Sequence, residues 1–135
     1  MHTRDQQRAR YAHECIDDVL ATATRADYRA MANEFGANVM RCGLCAALAF
    51  IEREQTRTTA AAQFLDHLAR HLSDAGRKLL PRDVSGANLH AAVRTVGLDD
   101  YMVLTREALR LALWLRRAAQ ARIPARGRDA KAHHA

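Results

Sequence analysis

From Asp99 to Ile123 the chain runs for more than twenty residues without a glycine or proline. Most of this stretch is Leu, Ala, Arg and Glu, all strong helix formers. Asp99 and Asp100 stand where an N-cap and a first-turn acid belong, and Arg116, Arg117 and Arg122 stand in the last turns. Both placements complement the helix dipole. At 100° per residue, Tyr101, Leu104, Ala108, Leu111, Ala112, Leu115 and Ala119 share one face. Met102, Leu109 and Leu113 widen that face, so the sequence predicts a central helix covered by several others. Arg106, Arg110 and Arg117 remain as a polar strip, with Val103 and Trp114 along its edge.

The other segments can only be helices packed around this one. Thr3 to Ala23 places Ala9, Ala12, Cys15, Ile16, Val19, Leu20 and Ala23 on one face, and Arg8 projects from the same side. An arginine there either snorkels out of the core or reaches a partner. After a polar connection, Tyr28, Met31, Ala32, Phe35, Val39 and Cys42 form a second stripe with Asp27 as its cap, and Gly43 is a natural stop. Leu44 to Glu54 is apolar nearly all round, which predicts a short helix flanked on several sides. A fourth amphipathic helix uses Ala61, Phe64, Leu65, Leu68 and Leu72 and ends near Gly76. Between Arg77 and Leu98 the signals weaken, and NLHAAVRTV is at most a short helix. No segment alternates as a strand does. The expected fold is therefore all-α, a compact bundle of five to six helices with a long C-terminal central helix. It forms a single domain over residues 1–123, followed by a basic disordered tail over 124–135.

Charge and cysteine content narrow the function. Lys plus Arg number 21 against 15 for Asp plus Glu, a net charge of +6. Lys78 and Lys131 are the only lysines, so the excess is arginine, the better residue for bidentate phosphate contacts. A GC-rich genome explains the bias equally well, yet a polyanionic partner still fits such a chain better than a cationic one. There is no apolar signal region and no long uncharged apolar run, so a soluble, cytoplasmic protein is expected. An odd number of cysteines, three, argues against a secreted disulfide framework.

No constellation of residues suggests catalysis. Cys42-Gly43-Leu44-Cys45 has redox spacing, but a helix precedes it where a thioredoxin-type site needs a strand. His67 and His71 are four apart, without the adjacent glutamate of a zincin helix, and read as solvated or edge-packed. No Walker loop, nucleophile elbow or dinucleotide fingerprint is present. Neither a catalytic residue nor a metal ligand nor a cofactor is expected. What remains is the line of Arg106, Arg110 and Arg117, about 16 Å long. Such a line could follow a phosphate backbone with Trp114 as a stacking platform. A solvated face beside a core tryptophan is the plainer reading.

The order of several packing motifs carries a resemblance. Tyr28–x–x–Met31-Ala32–x–x–Phe35 is followed by Cys42-Gly43-Leu44 and Ala47-Leu48-Ala49-Phe50. The chain closes on Tyr101–x–x–Leu104-Thr105–x–Glu107-Ala108-Leu109 and then Trp114-Leu115-Arg116-Arg117. Over residues 1–122 this resembles the small helical subunit of type III-B CRISPR effector complexes. Cys42 departs from the pattern, standing where that family usually has asparagine, which makes the Cys-x-x-Cys an accident of a substituted corner. The resemblance implies a non-catalytic subunit whose copies stack beside the backbone and large subunits and help hold guide and target RNA. On that reading Arg8, Arg41, Arg53, Arg106, Arg110 and Arg117 are the candidates for RNA-backbone or inter-subunit contact. The rival readings are the small subunit of the type III-A complex and a helical redox or metal protein using Cys42, Cys45, His67 and His71. The Trp-Leu-Arg-Arg ending favours III-B.

Overall fold

The computed structural model describes residues 2–74 and 80–125. Six helices follow one another: α1 (Arg4–Val19), α2 (Arg25–Cys42), α3 (Leu44–Glu54), α4 (Thr59–Asp74), α5 (Leu89–Thr95) and α6 (Leu98–Arg122). No strand occurs among the described residues. The expected all-α bundle is the observed fold. The predicted end of α4 near Gly76 and nearly all of the 124–135 tail lie outside the described residues.

Helix α6 packs most closely against α2 and α1, α4 closes the bundle across them, α3 flanks α2 and α4, and α5 packs on α3. At Gly36 helices α2 and α6 are near enough that an added Cβ would reach ordinary contact with the Ala112 side chain, at 3.5 Å. One contiguous core joins Ile16, Val19, Tyr28, Phe35, Leu48, Phe64, Leu68, Leu89, Leu104, Leu111 and Leu115, all buried. Phe64 sits at its centre with its ring 5.3 Å from those of both Tyr28 and Phe35. Such tilted and edge-on pairs add to the burial that holds α2 against α4.

Local chemistry sets the helix ends. Thr3 and Gln6 form a capping box: the Thr3 hydroxyl accepts from the Gln6 amide at 3.1 Å, and the Gln6 side chain accepts from the Thr3 amide at 2.7 Å. Helix α1 stops at Val19, short of the predicted Ala23. The Thr22 hydroxyl donates to the Val19 carbonyl at 2.8 Å, diverting an acceptor from the helix ladder. Asp27 is in the first turn of α2, not at its cap, which is Thr24. Likewise Gly97 caps α6, so Asp99 and Asp100 both stand in its first turn. At Gly86 the loop presses on α4. Its amide donates to the Asp66 carboxylate at 2.8 Å, and a Cβ there would lie 2.7 Å from the Asp66 backbone nitrogen.

The α2–α3 corner turns on Gly43, whose φ of 90° and ψ of 163° are nearly closed to residues with a Cβ. No side chain of the corner itself caps α3. Instead the Tyr101 hydroxyl, reaching from α6, accepts a hydrogen bond from the Cys45 amide at 3.1 Å. The first turn of α3 is thus capped from another helix. Gly43→Ala should cost about 1–3 kcal/mol from backbone strain alone, read as a lowered denaturant midpoint. An unchanged midpoint would mean that the corner relaxes freely.

Two apolar faces are narrower than their sequences suggest. In α3 the buried residues are Leu44, Ala47, Leu48 and Ile51, while Phe50 is 43% exposed. In α6 the covered face is Leu104, Ala108, Leu111, Ala112, Leu115, Ala118 and Ala119, but Met102 and Leu113 are 52% and 46% exposed. The packed helices cover one side of each, and the other side faces outward.

Candidate nucleic-acid and subunit interface

The six candidate arginines separate into one buried and five exposed. Arg8 is only 4% exposed, because the stripe that carries it faces α6. There its Nε and Nη2 each donate to a carboxylate oxygen of Glu107 at 2.8 Å, and Nη1 donates to Asp5 at 2.8 Å. These bonds engage three of its five N–H donors with carboxylates of the same chain. The expectation of Arg8 as a snorkelling or partner-binding residue is therefore corrected: its partner is inside the protein.

Glu107 receives a second donor, His71 Nε2, at 2.8 Å, and the Tyr11 ring packs on His71 at 5.3 Å between centroids. Burial alone would raise the Glu107 carboxyl, but hydrogen bonds from Arg8 and His71 outweigh it and hold the group at about 2. The cleft above it is lined by Arg4, Arg8 and Arg70 and equally by Glu14, Asp74 and Glu107. With its charges balanced, it offers a polyanion little attraction.

A second buried polar pair lies one turn away. His67, expected to be solvated or edge-packed, is 3% exposed. Its Nε2 meets the Asp18 carboxylate at 3.1 Å and its Nδ1 meets the Tyr28 hydroxyl at 2.7 Å. Burial lowers the pKa of His67, favouring the neutral ring. Since a carboxylate only accepts, Nε2 carries the proton and Nδ1 accepts from Tyr28. The Tyr11 hydroxyl donates to the His67 carbonyl at 2.6 Å. The histidines of the HLARH segment thus bond to different carboxylates in different places. Among the described residues no group of three or more His, Cys, Asp or Glu is arranged to hold a metal ion. Cys42 is exposed and Cys45 half-buried at the α2–α3 corner, and the buried Cys15 thiol is pushed up to about 12 by desolvation.

Neither pair is evident from the linear sequence, although a signal exists. Arg8 lies on the apolar stripe of α1, and Glu107 falls between Leu104 and Leu111 on the apolar stripe of α6. Opposite charges on two apolar faces are the pattern of a buried pair.

The five exposed arginines come from three helices. Arg41 is at the end of α2, donating to the Asn38 side chain at 2.6 Å. Arg53 lies in the last turn of α3 with its guanidinium 5.1 Å from the centre of the Phe50 ring. Arg106, Arg110 and Arg117 share the outer face of α6, and Arg117 covers the ring of the half-buried Trp114 at 5.1 Å. Trp114 is therefore neither a fully buried core residue nor a free stacking platform: one face packs on the core and the other lies under a guanidinium.

Residues 4–122 match the family model described as CRISPR-associated protein (Cas_Cmr5). The chain belongs to the Cmr5 family. It is 35% identical over 123 residues to the CRISPR system Cmr subunit Cmr5 of Thermus thermophilus, covering 91% of this chain and 98% of that one. It also resembles the crystal structure of a Cmr5 family protein from that organism. The TM-score is 0.74 and the identity 33%, over 91% of this chain and all of the other. The matched span runs from the first residue of α1 to the last of α6, so the whole bundle is the Cmr5 unit. No helix of the described residues is long and apolar enough to cross a membrane.

Proposed function

We propose that this Cmr5-family chain is the non-catalytic small subunit of a type III-B CRISPR effector complex in the cytoplasm. Copies of it stack beside the backbone and large subunits and help to hold guide and target RNA. The observation that carries this reading is the family match across residues 4–122, together with the name of the Thermus relative, a Cmr subunit. The basic surface supports it. Arg41, Arg53, Arg106, Arg110 and Arg117 stay exposed after folding, as contacts to RNA phosphates or to neighbouring subunits require. Arg8, buried and bonded to Glu107, is the least accessible of the six candidates.

Phosphate contacts made by such arginines carry no base information. Arg41→Glu with Arg53→Glu should therefore weaken target-RNA capture by the assembled complex similarly for every target sequence. It should also flatten the dependence of affinity on salt, by about one unit of slope for each phosphate that a copy no longer neutralises. Cleavage of whatever target is bound should persist, because no residue of this chain is given a catalytic role. Capture that is unchanged at every salt concentration would remove both arginines from the RNA surface. A wild-type chain that fails to co-purify with the other subunits when co-expressed would overturn the subunit reading itself.

A further inference from the structure

We infer that the outer face of α6 is a protein-docking surface, shaped for an acidic, partly apolar face of a different subunit and not for the RNA backbone. This inference rests on the reading of the chain as one subunit of a larger complex. Five large apolar side chains are markedly exposed among the described residues, and three of them, Leu98, Met102 and Leu113, belong to α6. Met102, Arg106, Arg110, Leu113 and Arg117 fall within an arc of about 80° at 100° per residue. The apolar groups are thus interleaved with the arginines, and Leu113 sits between Arg110 and Arg117 on the same line. Leu98 and Trp114 border the arc on opposite sides.

A track for phosphates has no use for exposed Leu and Met among its arginines, because those side chains give nothing to a charged, hydrated backbone. Protein interfaces use this mixture: apolar and aromatic anchors with arginines around them. Among the described residues Arg106, Arg110, Arg116 and Arg117 enter no ion pair. No carboxylate of the described residues neutralises this face, which leaves its guanidinium groups open to carboxylates of a partner. Trp114 is already held, between the core and the Arg117 guanidinium, so little side-chain entropy is lost when a partner covers it.

A second copy paired isologously through this face is a poor occupant. Isologous pairing of two antiparallel α6 helices that brings Met102 onto Leu113 also sets Arg106 and Arg110 of each copy against those of the other. Four guanidinium groups would then meet at the centre without a carboxylate. The area is small as well. From Leu98 to Arg117 the helix is about 28 Å long and 10–12 Å across, roughly 300 Å², well under the ~800 Å² per partner of a standard stable interface. Such a face suits one contact among several within an assembly, opposite carboxylates flanking an apolar ridge.

The discriminating variant raises the positive charge while destroying the apolar anchors. Met102→Lys with Leu113→Lys alters two exposed positions, so melting of the free chain should be unchanged. Complexes are purified by a tag on another subunit after co-expression with the wild-type or variant chain. The double variant should be retained roughly tenfold less than wild type, the effect of losing interface anchors, and Arg106→Glu with Arg110→Glu should lose as much. Retention equal to wild type with target-RNA capture unchanged or tightened, as two added cations on an RNA surface would give, would overturn the inference. So would a stable dimer of the free wild-type chain in sedimentation that the Lys double variant dissociates, since the occupant would then be a second copy. Failure of the wild-type chain to enter the complex would instead strike the subunit reading.

Discussion

Glu107→Ala is expected to lower the stability of the chain by about 3–5 kcal/mol, the effect of removing one partner from a buried ion pair. The carboxylate satisfies two arginine nitrogens and one histidine nitrogen, each at 2.8 Å. Without it Arg8 keeps only the exposed Asp5 as a counter-charge, and its desolvation is no longer offset. A loss of this size is a large part of the roughly 5–15 kcal/mol that holds a typical domain together. Arg8→Met with Glu107→Leu should be far milder than either single change to alanine, because replacing both charges by apolar groups removes the desolvation cost with the attraction. Chemical denaturation of the single and double variants tests both statements. If Glu107→Ala costs less than about 1 kcal/mol, the magnitude of an exposed pair, then the pair is wetter than its burial indicates.

Acid should undo the same interactions in a definite order. The Glu107 carboxyl titrates at about 2 in the folded chain against an ordinary 4.5, so its contribution is complete above 4.5 and lost as pH falls toward 2. That lowering corresponds to on the order of 3 kcal/mol. His67 acts earlier and in the same direction. Burial lowers its pKa beneath the ordinary 6.5, so the folded state favours the neutral ring, and stability declines as pH drops below 6.5. A pH series of thermal melts should therefore be level above 6.5 with respect to these two groups, slope gently below it, and fall steeply between about 4.5 and 2. Glu107→Gln should remove the steep step and leave the gentle one. Identical pH profiles for wild type and Glu107→Gln would show that other carboxylates govern acid unfolding.

Both predictions concern polar groups whose partners are distant in sequence, and these are what a linear reading does not pair. Arg8 and Glu107 are 99 residues apart and His67 and Asp18 are 49 apart. Each is visible as a residue type on a helix face. Whether a charge on an apolar stripe escapes to water or meets its opposite depends on which helices are neighbours and in what register. The same limit explains Met102, Leu113 and Phe50. Periodicity ranks the sides of a helix by hydropathy, but it cannot say how many neighbours cover them.

Much of this protein is nonetheless written in local sequence. The stripes of α1, α2, α4 and α6, the break at Gly43 and the near absence of strand patterning follow from backbone propensity and from a 3.6-residue period. Those causes act within a few residues, so they are legible along the chain. The order of packing motifs from Tyr28 to Arg117 is enough to indicate the family. Packing between helices settles the rest: α1 delivers Arg8 to Glu107, Tyr101 caps α3 from α6, and three arginines of α6 remain on an uncovered face. Each depends on groups brought together from distant parts of the chain, and burial there sets whether a charge is paired inside or left for a partner.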